Sequence, residues 1–84
     1  MSISSFILIE VEPGKVRAVA DKIASVPGVL QASGVTGPYD VIAVLEGESI
    51  EDLGKIVMTE IQVLQGVRKT VTCLCTFSCT QGNQ

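Results

Sequence analysis

A strand-helix-strand pattern occurs twice along this chain, and the repeat constrains the fold more than any other feature of the sequence. The tetrapeptide at residues 26–29 (VPGV) corresponds to the tetrapeptide at residues 64–67 (LQGV), and the same offset places Val57 on Val19. Each half is therefore predicted to form a β-α-β unit. The sequence predicts an α+β domain of the ferredoxin-like βαββαβ type.

Hydrophobic periodicity and turn residues set the bounds of the predicted elements. Apolar residues recur twice at helical spacing, β-favouring runs occur four times, and Pro-Gly, Gly-Pro or single Gly residues separate the segments. The predicted strands are 5–12, 29–36, 39–46 and 67 to about 77, and the predicted helices are 15–26 and 49–66. We expect one domain over residues 1–84, with its core at about 5–77 and a polar C-terminal tail at 78–84.

The first and third predicted strands are apolar at successive positions, as in Phe6–Ile9 and Val41–Leu45. Right-handed crossovers place both helices on the same side of the sheet, and a sheet with one face in water should alternate apolar and polar residues. Hydrophobic residues make up 46% of the 84 residues and charged residues 18%, which is a high apolar content for a small domain with a second exposed sheet face. We therefore expect a second copy of the chain to cover that face, sheet against sheet.

Charge and cysteine content argue against several classes of protein. The net charge is −3 and the six basic residues are spread along the chain, so no basic stripe for nucleic acid is visible. No uncharged run reaches the ~18 residues of a membrane span, and no signal-peptide pattern is present, so we expect a cytoplasmic protein without a membrane partner. Neither a cofactor nor a metal is predicted, because the chain has no histidine and Cys73, Cys75 and Cys79 form no CxxC pair. We interpret these cysteines as small apolar residues near the last strand, and the sequence leaves a redox role for them open.

The segment Val35–Asp40 (VTGPYD) carries residues that suit the recognition of a free α-amino acid. Gly37 leaves backbone amides open to a carboxylate, Tyr39 can form one wall of a pocket, and Asp40 can pair with an ammonium group. The alternative interpretation is that Gly37 and Pro38 only turn the chain while Asp40 caps the turn.

The last predicted strand carries a row of threonines. Thr70, Thr72 and Thr76 share one side of this strand, and Val71 and Cys73 lie on the other. A row of hydroxyl groups suggests a polar lining.

Several of these segments together resemble the ligand-binding domain of the Lrp/AsnC family of transcriptional regulators, also called the RAM domain. The similar segments are Pro13–Gly14, Ile23–Val29, Val35–Asp40 and Gly66–Thr72. The resemblance covers roughly residues 5–77. It implies that Gly37, Tyr39 and Asp40 belong to an effector loop, and that Thr70 and Thr72 are ligand-binding positions of the last strand.

The resemblance also implies an assembly and a ligand. Domains of this family pack two sheets face to face as a dimeric α/β barrel, and the dimers usually form rings, here expected to be octamers or decamers, with effector amino acids near the contacts between dimers. Regulators of the family carry an N-terminal helix-turn-helix domain, whereas this chain begins directly at the sheet and resembles the stand-alone members. We therefore expect an amino-acid-binding, oligomer-forming regulatory module, with a full-length Lrp/AsnC regulator as a further candidate partner.

Two other functions stay open at this stage. A small enzyme of the dimeric α/β-barrel class would share the fold, although without histidine its acid-base catalysis would fall to carboxylates or a thiol. The carboxylates at predicted strand ends, Glu10, Glu12, Glu46 and Glu48, are interpreted as solvated surface. The other alternative is an architectural module that assembles with a full-length regulator. We expect a sensor and not an enzyme.

Overall fold

Two β-α-β units follow one another along the chain, as the repeat predicts. The structure, a computed structural model, describes residues 2–78 of the 84. Its strands are β1 (Ile3–Val11), β2 (Val29–Gly34), β3 (Val41–Gly47) and β4 (Val67–Leu74). Its helices are α1 (Val16–Ala24) and α2 (Ile50–Ile56), and α2 continues as a π-helical turn over Val57–Ile61.

The four strands form one antiparallel sheet in the order β2-β3-β1-β4, which confirms the ferredoxin-like prediction. The two strands with unbroken apolar runs, β1 and β3, are the central ones, and Ile7 pairs with Ala43 on one side and with Thr72 on the other. β2 and β4 form the edges. The register between β1 and β4 shifts between Glu10 and Val11, so the ladder is irregular there.

The hydrophobic core lies between the helices and one face of the sheet. Among residues 2–78 it contains twelve buried apolar residues, namely Ile7, Ile9, Val11, Val19, Ala20, Ile23, Val41, Ala43, Leu45, Leu53, Val57 and Ile61. Every second residue of β1 and β3 contributes, as expected where alternate side chains of a strand face one layer. The helical stripes predicted from spacing supply the rest of the core.

The second helix differs from its predicted course. The hydroxyl of Ser49 accepts a hydrogen bond from the Asp52 amide at 3.1 Å, so the helix begins with the expected N-cap. The α-helix ends at Ile56, earlier than the predicted continuation to residue 66, and the Gln62 amide donates to the Val57 carbonyl across a π turn at 2.8 Å. Residues 62–66 then connect the π turn to β4.

The last strand is shorter than predicted. β4 ends at Leu74, although the Cys75 amide still donates to the Ser4 carbonyl at 2.9 Å. Cys79 and nearly all of the predicted polar tail lie outside the described residues. Within residues 2–78, no helix has the length and apolar character needed to cross a membrane.

Candidate functional site

The β2–β3 loop (Val35–Asp40) contains three of the five residues predicted to bind a ligand. Two backbone hydrogen bonds of 2.9 Å hold it: the Val35 amide donates to the Asp40 carbonyl, and the Asp40 amide donates to the Ile9 carbonyl of β1. The loop is therefore closed at its base and attached to a central strand.

The Asp40 carboxylate already has a structural partner. Its Oδ2 accepts a hydrogen bond of 2.8 Å from the Val11 amide, next to the point where the β1–β4 register shifts. An irregular ladder leaves amides without their usual strand partner, and a buried or half-buried amide without any partner is costly. Asp40 therefore caps an amide of β1, whereas the alternative interpretation of the sequence had it cap the turn of its own loop. Its second oxygen, Oδ1, has no hydrogen-bond partner among the described residues.

The other two loop residues are accessible. Gly37 is exposed, and a methyl group added to it would meet no atom within 4 Å. The Tyr39 side chain, two residues after Gly37, is half-buried. The loop therefore offers free backbone, an aromatic ring and one carboxylate oxygen.

The two predicted threonines lie on the helix-facing side of the edge strand β4. Thr70 pairs with Ile9 and Thr72 with Ile7, and both isoleucines point into the core. The Thr70 hydroxyl accepts a hydrogen bond of 2.9 Å from the Gln62 side-chain amide, which comes from the end of the π turn. The Thr72 side chain is exposed.

One chain does not bring the loop and the threonines into contact. Val41, which follows Asp40, Ile9 and Thr70 form one row across the sheet. Two strand spacings separate Val41 from Thr70, which is about 10 Å, and Thr72 lies two residues farther along β4. The five predicted residues therefore lie in two separate groups on either side of β1.

A contiguous apolar patch covers the sheet face that the helices leave open. It consists of two rows of three residues, Val44, Phe6 and Cys73 in one row and Ile42, Leu8 and Val71 in the other. The Phe6 side chain is 42% exposed in the single chain. We call these six residues the open-face patch, and its polar neighbours at either end of β1 are Ser4 and Glu10.

The described cysteines form no metal site. Cys73 is exposed within the open-face patch, and the Cys75 sulfur lies 3.3 Å from the Phe77 carbonyl oxygen and 3.3 Å from the Ser78 hydroxyl. No cluster of three or more ligating side chains occurs among residues 2–78. Both cysteines are free thiols.

A surface groove that sequence reasoning missed lies on the helical layer, at the opposite end of β3 from the loop. It has a volume of about 570 Å³ and is lined by the α1–β2 turn, the β3–α2 connection and one side of α2 with its π turn. We call it the α2 groove. Its lining residues are spread over positions 26–60, so no local motif marks it. The only signal in the sequence is the concentration of acidic residues at positions 46–60.

Comparison with known proteins identifies a family for nearly the whole chain. The family model for the Lrp/AsnC ligand binding domain matches residues 4–81. An uncharacterised HTH-type transcriptional regulator of Pyrococcus horikoshii is 35% identical over 72 residues, which is 82% of this chain and 48% of the relative. The chain spans about half the length of the curated relatives it matches.

Two solved structures show the same fold. The structure of TTHA0845 from Thermus thermophilus matches with a TM-score of 0.87 and 34% identity over 94% of this chain and 99% of that chain. The complex of a transcriptional regulator from Neisseria meningitidis with L-Met matches with a TM-score of 0.82 and 16% identity, over 94% of this chain and 53% of that chain. At that lower identity the likeness shows the fold alone.

Proposed function

Because the chain belongs to the Lrp/AsnC ligand-binding domain family, we propose that it is a cytoplasmic, oligomer-forming regulatory module that binds an amino acid and catalyses no reaction. Its curated relatives are transcriptional regulators and not enzymes. A solved Thermus chain, TTHA0845, is matched over 99% of its own length, so a chain of this single-domain size occurs among the similar structures.

The geometry of the β2–β3 loop carries the amino-acid part of the proposal. A free α-amino acid needs hydrogen-bond donors for its carboxylate and an anionic acceptor for its ammonium group. The exposed backbone around Gly37 supplies the donors, and the Oδ1 oxygen of Asp40 supplies the acceptor while Oδ2 holds Val11. The L-Met complex of the Neisseria regulator, which shares this fold, supports the same class of ligand.

The separation of the loop residues from the β4 threonines supports binding across a subunit boundary. Thr70 and Thr72 are too far from Asp40 to contact the same small ligand within one chain. We infer that a second chain brings its own Thr70 and Thr72 to the loop. The assembly is then a ring of dimers that contains eight or ten chains in total. Binding of this kind shifts the balance between assemblies, because a ligand that contacts two chains stabilises their association.

The open-face patch supports a dimer as the unit of that assembly. Covering apolar surface is worth about 25 cal/mol per Å², so each ~100 Å² of this patch contributes about 2.5 kcal/mol when a second sheet covers it. The same patch on a second copy is equally apolar and equally large. A two-fold interface requires this, because both copies contribute the same surface.

A ligand screen with a matched pair of variants tests the proposal. We expect one or a few of the twenty amino acids to raise the melting temperature with the logarithm of their concentration, and to stabilise the fold by about 2.7 kcal/mol at a hundredfold excess over Kd. Tyr39→Ala should abolish this rise in melting temperature, since it removes the aromatic ring that the loop offers to the ligand. Ile50→Ala, at a 59% exposed side chain that begins α2 beyond the opposite end of β3, should retain it.

Either of two results would refute amino-acid sensing: no amino acid binds by calorimetry, or Tyr39→Ala binds as tightly as the unchanged chain. The second candidate function, assembly with a full-length regulator, is favoured by the structural use of Asp40 Oδ2, which leaves only one carboxylate oxygen for a ligand. It predicts mixed oligomers by native mass spectrometry whose composition does not respond to amino acids.

A further inference from the structure

The edge strand β4 is only partly covered on its helix-facing side. On that side β4 presents Thr70, Thr72 and Leu74 in turn, since alternate residues of a strand share a face. The Thr72 side chain is exposed and the Leu74 side chain is 43% exposed, although the β1 residues that pair with them are fully buried. The helical layer therefore stops short of the edge strand and leaves a surface open between α2 and β4.

One side of α2 and its π turn forms the wall of this surface. Gly54, Met58 and Gln62 follow one another at intervals of four residues and share that side. The Gln62 side-chain amide donates to the Thr70 hydroxyl at 2.9 Å, which fixes the end of the wall against β4. As the crossover of a β-α-β unit, α2 runs antiparallel to β4, and eight helical residues rise about 12 Å while four strand residues rise about 13 Å. Gly54 therefore lies at about the level of Leu74.

Gly54 has no role within the single chain that requires glycine. Glycine weakens a helix relative to alanine, and Gly54 does not adopt a positive φ. A Cβ atom added to it would meet no atom within 4 Å. The glycine instead forms a notch beside the 60% exposed Met58 side chain, where the backbone of another chain can approach closely. We call Gly54, Met58, Thr72 and Leu74 the β4 trough.

We propose that the β4 trough receives the β2–β3 loop of a neighbouring copy of the chain, with Val35 and Pro38 packed against Met58 and Leu74. The inference rests on the proposed function, which already requires the loop of one copy to lie near the β4 threonines of another. The trough adjoins those threonines directly, so a loop that reaches them also covers the trough. It supplies the apolar contacts of an interface whose polar part is the ligand site.

The loop has the side chains that the trough needs. Val35 is 38% exposed and Pro38 is exposed, although both are apolar. Within one chain, two strand spacings, or about 10 Å, separate the loop from β4, so a chain does not fill its own trough with its own loop. Residues 79–84 (CTQGNQ) contain no large apolar side chain to take its place.

This contact joins two different surfaces and is therefore heterologous, whereas the open-face patch joins two identical ones. A dimer formed through the patch presents two loops and two troughs. Neighbouring dimers can then make the small contact more than once, which strengthens it beyond the affinity of a single loop. Repetition around a closed path gives a ring of dimers.

Sedimentation velocity of the full chain at micromolar concentration, with and without a mixture of the twenty amino acids, tests the proposal. We expect the unchanged chain to exceed the size of a dimer. Met58→Glu should stop at the dimer, because it places an unpaired carboxylate under the neighbouring loop, and Val35→Lys should do the same from the other side. The double variant should recover the larger assembly, since the lysine of one copy then faces the glutamate of the next.

A neutral variant and a control complete the experiment. Gly54→Gln should keep its helix, as glutamine favours helices and its Cβ has room, yet weaken association between dimers about tenfold or more by filling the notch. Ala24→Glu, at an exposed position at the end of α1 over β2, adds the same charge as Met58→Glu and should assemble as the unchanged chain does.

Three results would overturn the proposal: an unchanged chain that never exceeds a dimer, a Met58→Glu variant that assembles normally, or a double variant that stays dimeric. Failure of amino-acid sensing is detected separately, as the absence of binding to the unchanged chain by calorimetry. That failure would leave the expected pattern of assemblies among the variants unaffected.

Discussion

Asp40 takes part in three hydrogen bonds that close the β2–β3 loop and attach it to β1. Its carboxylate oxygen Oδ2 accepts from the Val11 amide, its own amide donates to the Ile9 carbonyl, and its carbonyl accepts from the Val35 amide. A hydrogen bond to a charged acceptor is shorter and stronger than one between neutral groups, so the 2.8 Å contact is the strongest of the three. The loop that carries the candidate site is therefore held by the same residue that is proposed to contact the ligand.

We expect Asp40→Ala to destabilise the fold by about 1–2 kcal/mol, because the part-buried Val11 amide loses a charged acceptor and gains none. Asp40→Asn keeps a carbonyl oxygen at the same place and should cost less than about 1 kcal/mol. Urea unfolding at a fixed protein concentration measures both. Asp21→Ala, which removes a 73% exposed carboxylate from an ion pair with Arg17, is the control and should have little effect. Equal losses for Asp40→Ala and Asp21→Ala would show that the Val11 contact contributes nothing.

This contact also marks a limit of what the sequence predicts. The residue types of Val35–Asp40 indicate candidate binding groups around a turn at Gly37 and Pro38, between predicted strands 29–36 and 39–46. In the structure the whole segment is a loop, because β2 ends at Gly34 and β3 begins only at Val41. The partner of the carboxylate could not be predicted, because Val11 is 29 residues away and its amide is available only where the β1–β4 register shifts. Register irregularities depend on the paired strand, which local patterns do not encode.

At the scale of elements, the repeat and the apolar spacing predict the order, type and buried faces of the strands and helices. Val19, Ile23, Leu53, Val57 and Ile61 are all in the core, as their spacing indicates. The predictions fail where local hydrogen bonds decide the backbone course. The Thr59 hydroxyl donates to the Lys55 carbonyl at 2.7 Å beside the π turn, and such side-chain bonds to the preceding turn bend helices without changing the apolar pattern.

The corner between the π turn and β4 packs directly on α1 at Gly66. This glycine has a φ of +102°, and a Cβ atom there would lie 3.1 Å from Cδ of Lys15 and 3.3 Å from Cγ2 of Val19. Gly14 has a similar φ of +84° but open space around it. The two glycines therefore separate the cost of the backbone conformation from the cost of crowding.

We expect Gly14→Ala to cost about 1 kcal/mol, which is the penalty of a left-handed conformation for a residue with a side chain. Gly66→Ala should cost more, about 2–3 kcal/mol, because α1 must also move away from the corner. Thermal unfolding of both variants at one protein concentration gives the comparison. If the two losses are equal, the close approach of α1 to this corner does not constrain the fold.

At the scale of the whole molecule, the open-face patch and the β2–β3 loop, which both have proposed roles, share no residue. The open-face patch lies on one side of the sheet, the β2–β3 loop lies at one end of β3, and the α2 groove lies at the other end on the helical layer. A second copy of the chain at the patch and a ligand at the loop would therefore contact different residues. The patch was predictable from unbroken apolar runs, whereas the groove was not, because it forms only when three distant segments meet.

The open-face patch is the proposed contact between the two copies of a dimer. Phe6 lies in the middle of one row of the patch, next to Val44 and Cys73, and its side chain is already 42% exposed in the single chain. Phe6→Lys should therefore leave the fold of the chain intact. In a face-to-face dimer it would place two like charges near each other and bury ammonium groups that have no partner, which is costly. We expect the unchanged chain to sediment as a dimer or a larger assembly at micromolar concentration and Phe6→Lys to sediment as a folded monomer.

Gln31→Lys, on the open side of the edge strand β2 opposite Val44, adds the same charge at the rim and should preserve the assembly. A monomeric unchanged chain, or a Phe6→Lys variant that assembles normally, would show that this sheet face is not the contact between copies.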